Sequence, residues 1–186
     1  MTATEIFSKI NSIKVENLMR HIQFADTMDF MGLRGFKREG EYHYLAENIE
    51  LRKLHRYVIN HLSTMLYDEG INADVKVQPL SWKGHTRNEV DTSTRKRYVR
   101  QLFMDWRDWE KSALLKLADC YHQMESINCV YAEYILEMME DVTCELKYLE
   151  RQIIEYESVE WDMVYIMSKQ DELHECYRKK SNELEI

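Results

Sequence analysis

From His85 to Ile186 the chain contains no glycine and no proline. Its single proline is Pro79, and its five glycines all lie between Gly32 and Gly84. Because these two residue types most disfavour the interior of a helix, so long a stretch without them predicts long, uninterrupted helices. Apolar residues that recur every three or four positions indicate the same, and the sequence therefore predicts an all-α fold.

The breaks that remain divide the chain into five predicted helices within a single domain, residues 1–186. The predicted helices cover residues 4–31, 37–68, 92–125, 128–157 and 159–180, the last two separated by a break near Ser158. Short turns join helices 1 and 2 and helices 3 and 4 into antiparallel hairpins. Residues 70–91 are numerous enough to run the length of a bundle, so helices 2 and 3 are expected to be parallel. This topology is a four-helix bundle with one long crossover and an additional C-terminal helix.

The charge of the chain limits its partners. It has 33 acidic and 25 basic residues, a formal net charge of −8, which argues against binding to nucleic acid or to an anionic membrane surface. No apolar run approaches the roughly 20 residues that cross a bilayer, and residues 1–10 lack the features of a signal peptide. We therefore expect a cytoplasmic protein whose four cysteines are reduced thiols.

Several acids fall on the apolar stripes of the predicted helices, where charged side chains are rare. These acids are Glu47 and Glu50 on helix 2, Glu110 on helix 3, and Glu145 on helix 4, with Asp141 at the edge of the helix-4 stripe. The first four lie near the middle of their helices and can meet at one level of a bundle. A buried carboxylate needs a metal ion, another cation or a proton. Because bundles build metal centres from such converging acids, these five residues are the predicted metal ligands.

Helix 1 brings basic groups to the same level, since its inward face carries Lys14 and His21. The acids can therefore instead pair with these residues or with Arg95 in a buried ionic network, or face solvent at the ends of the bundle. On helix 4, Glu137 and Glu140 point outward by the same count, and we interpret them as a solvated face.

The turn from Gly32 to Phe36, with the sequence Gly-Leu-Arg-Gly-Phe, resembles the turn between the first two helices of the ferritin family. Glu47 and Glu50 follow it at the spacing of that family's helix-2 ligands, and the resemblance covers roughly residues 5–155. It implies a ferritin-like fold, an iron cofactor, ferroxidase-like oxidation or storage of iron, and a homo-oligomer.

Two ligand positions depart from the family pattern. Lys14 stands where the family has a glutamate, and Glu50 stands where it has a histidine. Glu47, Glu110 and Glu145 match the other positions, the last with a one-residue gap. The resemblance thus implies that one of two metal positions is lost and that the Lys14 ammonium takes its place.

Two functions follow from these observations. The first is a ferritin-like metal-binding protein that binds, oxidises or stores iron through the carboxylate cluster. The alternative is a metal-free ferritin-like bundle in which Lys14 neutralises the acids and the protein acts as an interaction or assembly module. A generic helical adaptor unrelated to ferritins is a third possibility, and fold-level analogy cannot by itself decide among them.

A second apolar stripe on helix 2 predicts self-association. Tyr42, Leu45 and Ile49 point away from the stripe that carries the acids, and a contiguous apolar patch of this kind is typical of an interface. We expect it to meet its own symmetry mate. Alternatively, the crossover covers it within one chain through Leu80 and Trp82.

Overall fold

The structure, a computed structural model, describes residues 1–66 and 90–184. These residues form five α-helices and no strand, so the predicted all-α class is confirmed. The helices are α1 (Ala3–Phe30), α2 (Arg34–Leu62), α3 (Thr92–Glu125), α4 (Cys129–Ser158) and α5 (Met163–Glu183). Within these ranges, no helix is both long and apolar enough to cross a membrane.

Helix 2 is shorter at its end than the sequence predicts. The predicted range is 37–68, whereas α2 covers Arg34–Leu62. Ser63 ends the helix because its backbone adopts a left-handed conformation, with φ of 54°. The sequence has no glycine at this point, and serine rarely adopts this conformation. The residue pattern therefore does not predict that the helix ends here.

The predicted break near Ser158 is confirmed, since α4 ends at that residue. The chain then reverses through Glu160 and Trp161, whose φ angles are 52° and 56°. A left-handed backbone is strained for residues with a Cβ. The Trp161 side chain is 1% exposed, and burial of an indole offsets strain of this size.

Two apolar clusters reveal the directions of the four long helices. The first contains Phe24, Phe36, Phe103 and Ile153. The second contains Phe7, Leu54, Leu117 and Val142. Thus α1 and α4 run from the second cluster to the first, while α2 and α3 both run the opposite way. The predicted parallel arrangement of helices 2 and 3 agrees with this.

The two residues that flank the predicted crossover lie in different clusters. Leu66 belongs to the second cluster and Val90 to the first. The chain between them therefore connects opposite ends of the helices. Its path, including the predicted contacts of Leu80 and Trp82, lies outside the described residues.

Helix α5 lies along the first half of α2. No side chain of the preceding turn caps α2; instead, Gln170 of α5 accepts hydrogen bonds from the backbone N–H groups of Gly35 and Phe36, at 3.0 and 3.2 Å. These groups are among those that a helix N-terminus leaves without an intrahelical partner. A Cβ at Gly35 would lie 2.5 Å from the Gln170 carbonyl oxygen, so the close approach of the two helices requires glycine there.

Helix α5 also reaches the second apolar stripe of α2. The ring of Tyr177 lies 5.4 Å from the ring of Tyr42, and Leu45 and Ile49 are half-buried. Part of the stripe is therefore covered within the chain by α5. The sequence analysis had considered only the crossover as a cover.

Candidate metal centre

A level of polar side chains separates the two apolar clusters. On every long helix its members fall between the residues of the first cluster and those of the second. The members are Lys14, Asn17 and His21 on α1, Glu39, His43 and Glu47 on α2, Glu110 on α3, and Glu145 on α4. The inward placement predicted for Lys14, His21, Glu47 and Glu110 is therefore observed.

Three of these residues bring metal-ligating atoms together. Nδ1 of His43 lies 2.8 Å from Oε1 of Glu145, and Nε2 of His21 lies 3.8 Å from the same oxygen. The three ligand atoms all lie within 4.8 Å of one another. Two atoms that bind one ion at about 2.1 Å and at right angles are about 3 Å apart. Small side-chain movements would bring this group to that spacing.

His21 is the most unusual member of the group. It is 0% exposed, yet neither ring nitrogen has a hydrogen-bond partner among the described residues. The rings of Trp106 and Trp109 stand edge-on to it at 5.3 and 5.9 Å. Burial, opposed in part by the charge of Glu145, lowers the pKa of His21 to about 3. The imidazole is therefore neutral at pH 7, with a lone pair available for a metal.

Glu110 lies beside His21, with Oε1 3.7 Å from the same ring nitrogen, Nε2, that faces Glu145. Its carboxylate accepts hydrogen bonds from the indole N–H groups of Trp106 and Trp109, at 3.3 and 3.0 Å, and from the amide of Asn17 at 3.4 Å. Burial and the nearby charge of Glu145 raise the pKa of Glu110 well above its ordinary value. Without a cation, this carboxyl group therefore tends to keep its proton.

Glu145 and His43 form an ion pair. Burial alone would raise the pKa of Glu145, but the charge of His43 and the hydrogen bond to it lower that pKa to about 2. Burial likewise opposes a charge on His43, and the attraction of Glu145 reverses this and raises the pKa of the imidazole. A cation that binds Glu145 must therefore displace a proton from His43.

Lys14 and Glu47 form a second, separate ion pair beside this group. Their charged atoms are 3.3 Å apart, and their side chains are 3% and 7% exposed. Burial lowers the pKa of Lys14, but the charges of Glu47 and Glu50 more than compensate and raise it. The Lys14 ammonium therefore faces Glu47, whose own pKa is raised by burial against the attraction of that ammonium.

The remaining predicted ligands lie away from the histidines. Glu50 pairs with Lys53 at 2.8 Å and its side chain is 24% exposed. Asp141 is exposed, and its pKa is raised by partial burial and by the charge of Glu50. Of the five predicted ligands, Glu145 thus belongs to the group with His21 and His43, and Glu110 lies beside His21, whereas Glu47, Glu50 and Asp141 do not belong to the group.

Two residues of the polar level, His43 and Glu39, are absent from the predicted set of ligands. Both lie on the inward stripe of α2 that begins at Phe36, so periodicity provided a signal for each. Glu39 is completely buried and accepts hydrogen bonds from Gln152 and Tyr177, at 2.9 and 2.7 Å. By contrast, the outward-facing pair Glu137 and Glu140 was assigned correctly, since both are exposed.

Comparison of the chain with protein-family models, curated proteins and solved structures gives no match. The donor atoms of the centre indicate which metal ions it suits. Two imidazole nitrogens and carboxylate oxygens suit iron(II), zinc and other divalent transition metals. The combination of two histidines and one carboxylate is the facial set typical of non-haem iron(II).

Proposed function

We propose that this chain is a ferritin-like protein that binds one divalent transition-metal ion, iron(II) in the first instance, through His21, His43 and Glu145, with Glu110 as a fourth ligand. The observation that carries the proposal is the convergence of His21, His43 and Glu145, together with the two unpartnered nitrogens of the buried His21. Buried polar atoms without partners are rare, and a metal ligand is one of their few explanations.

The arrangement of the helices supports the ferritin-like part of the proposal. Two antiparallel hairpins, joined by a segment that connects opposite ends of the helices, have the topology of ferritin-like bundles. In those bundles a metal binds between the helices at mid-height, where the polar level lies in this chain. Oxidation or storage of iron is the corresponding function of the chain.

Lys14 limits the proposed centre to a single ion. Its ammonium lies against Glu47, and Asn17 points its amide N–H at Oε2 of Glu110. Each of these two carboxyl groups thus already faces a donor from α1, which a second cation would have to displace. A single-ion centre is therefore the form that the side chains favour.

We expect the wild-type protein to bind about one equivalent of iron(II) or cobalt(II) under anaerobic conditions. His21→Leu should weaken this binding at least about 100-fold, because loss of a group that only supports a ligand already lowers metal affinity about 10–100-fold, and His21 is itself a proposed ligand. Equilibrium dialysis with elemental analysis measures both values. His122→Leu, at an exposed position on α3, is the matched control and should bind as wild type does.

A second candidate function is favoured by the ion pair of Lys14 and Glu47. In this candidate the bundle is metal-free and acts as an interaction or assembly module. Binding of less than about a tenth of an equivalent, both as purified without chelator and after anaerobic loading, would reject the metal centre and leave this alternative.

We further propose that the chain forms a homo-oligomer through Tyr42, Leu45 and Ile49. Light scattering is expected to give a mass of at least twice 22.5 kDa for the wild type, and Leu45→Glu should lower it because a buried charge disrupts an apolar interface. Leu115→Glu, at a 73% exposed position on α3, controls for added charge. A single-chain mass for the wild type contradicts this part of the proposal.

A further inference from the structure

The ammonium group of Lys180 is surrounded by three tyrosine rings. Its Nζ lies 4.6 Å from the ring centroid of Tyr177, 5.5 Å from that of Tyr148 and 5.8 Å from that of Tyr42. Cations within about 6 Å of a ring centroid are attracted by the negative face of the ring. We call the three rings the tyrosine cage.

A buried carboxylate lies beneath the tyrosine cage. The Tyr177 hydroxyl donates a hydrogen bond to Oε1 of Glu39 at 2.7 Å, and the hydroxyl oxygens of Tyr177 and Tyr148 are 2.9 Å apart. Glu39 is completely buried, and its Oε2 has no hydrogen-bond partner among the residues described. Burial raises the pKa of Glu39, so the attraction for a cation comes from the aromatic faces, which are the chemistry that recognises organic ammonium ions.

The occupant of the tyrosine cage belongs to a part of the chain that can be displaced. Lys180 lies in the last turn of α5, which ends at Glu183, and terminal turns of helices open at little cost in free energy. The rings of the cage are anchored elsewhere, since Tyr177 is buried one turn before Lys180, Tyr42 belongs to α2 and Tyr148 belongs to α4.

The tyrosine cage is also accessible from solvent. The Tyr148 side chain is 38% exposed. A cleft of about 340 Å³ between α4 and α5 is lined by Tyr148, Gln152 and Cys176, among others. Gln152 is the residue that donates to Glu39. The cleft thus gives a small molecule a place beside the cage.

We propose that the tyrosine cage is a binding site for small organic ammonium ions, primary or N-methylated alkylamines, and that Lys180 is a built-in occupant which such a ligand displaces. Binding would release the last turn of α5 from α2 and α4. This inference does not rest on metal binding, because none of the four proposed ligands belongs to the cage. The nearest of them, His43, has its ring 5.2 Å from that of Tyr42 and 6.1 Å from that of Tyr177.

The test uses Lys180→Ala, which empties the cage without altering its rings. Isothermal titration calorimetry with n-propylammonium chloride and tetramethylammonium chloride is expected to give a dissociation constant at least about tenfold lower for this variant than for the wild type. In the wild type, the Lys180 ammonium competes with the ligand for the cage. Lys179→Ala removes the exposed neighbouring lysine and should behave as the wild type does.

The double variant Lys180→Ala with Tyr148→Leu removes one ring and should lose the binding, whereas Tyr148→Phe in the same background keeps the ring and should retain most of it. Equal binding by all variants, or none by Lys180→Ala, would overturn the proposal.

A second measurement covers the case in which Lys180→Ala does not fold. In the wild type, tetramethylammonium at saturating concentration is expected to speed amide hydrogen exchange at residues 180–183 several-fold, relative to sodium chloride of equal ionic strength. An unchanged exchange rate there would contradict displacement of Lys180.

Discussion

Lys14→Glu is expected to lower the free energy of unfolding of the metal-free protein by about 3 kcal/mol, the usual cost of leaving one partner of a buried ion pair unpaired. Glu47 would lose the ammonium 3.3 Å away, and a new carboxylate would face it. Denaturant unfolding in the presence of a chelator measures the loss. Lys9→Glu, at an exposed position on the same helix, should change stability by less than about 0.5 kcal/mol.

The same variant also tests the proposal that Lys14 restricts the centre to a single ion. With a glutamate at position 14 in place of the ammonium, divalent cations should recover the lost stability, and the metal content should rise from about one equivalent to about two. Lys14→Met removes the charge without adding an acid and should not gain a second ion. Unchanged stability of Lys14→Glu without metal would show that Lys14 does not neutralise Glu47.

Glu110→Gln is expected to stabilise the metal-free protein at pH 7–8, since the raised pKa of the buried Glu110 carboxyl costs free energy of folding wherever the unfolded chain has already lost that proton. The amide oxygen of glutamine can still accept from Trp106 and Trp109. The same substitution removes a ligand and should weaken metal binding at least about tenfold. A gain in stability together with a loss of metal affinity would show that Glu110 contributes to metal binding and not to the stability of the fold.

The pH dependence of stability follows from the raised pKa of Glu110. In the folded protein this group keeps its proton at pH values above 4.5, its ordinary pKa, where the unfolded chain has already lost it. The folded state then binds more protons, so stability falls as the pH rises through this range. The advantage of Glu110→Gln over the wild type should therefore grow as the pH rises from 4.5 towards the raised pKa of Glu110, and then level off. Glu137→Gln, at an exposed position, is the matched control.

Metal binding should show the opposite dependence on pH. An ion that binds at this centre competes with the protons of Glu110 and His43, so its affinity is expected to rise with pH. Added metal should therefore raise the free energy of unfolding most at the pH values at which the metal-free protein is least stable. Equal metal affinity at pH 5.5 and pH 7.5 would contradict this protonation scheme.

The helices, and the faces from which their side chains point, follow from local features of the sequence. The periodicity of a single helix is enough to place Glu110 among Trp106 and Ala113, because every third or fourth residue returns to the same face. The same local argument placed Lys14 and His21 inward. The break at Ser158 was also predicted locally, from the length that an uninterrupted helix would have.

The tertiary structure decided which inward groups meet. Periodicity fixes the face of a helix but not its displacement along a neighbouring helix, and one turn of α2 separates His43 from Glu47. That displacement brings His43 against Glu145 and leaves Glu50 beside Lys53.

The position of α5 was likewise beyond the sequence. The helix docks on α2 through Gly35 and Gln170 and encloses Glu39 beneath Tyr177. Contacts between residues so far apart in the chain depend on how whole helices fit against one another, and no repeat within either helix encodes that fit. The metal centre and the tyrosine cage both arise at this level of the structure.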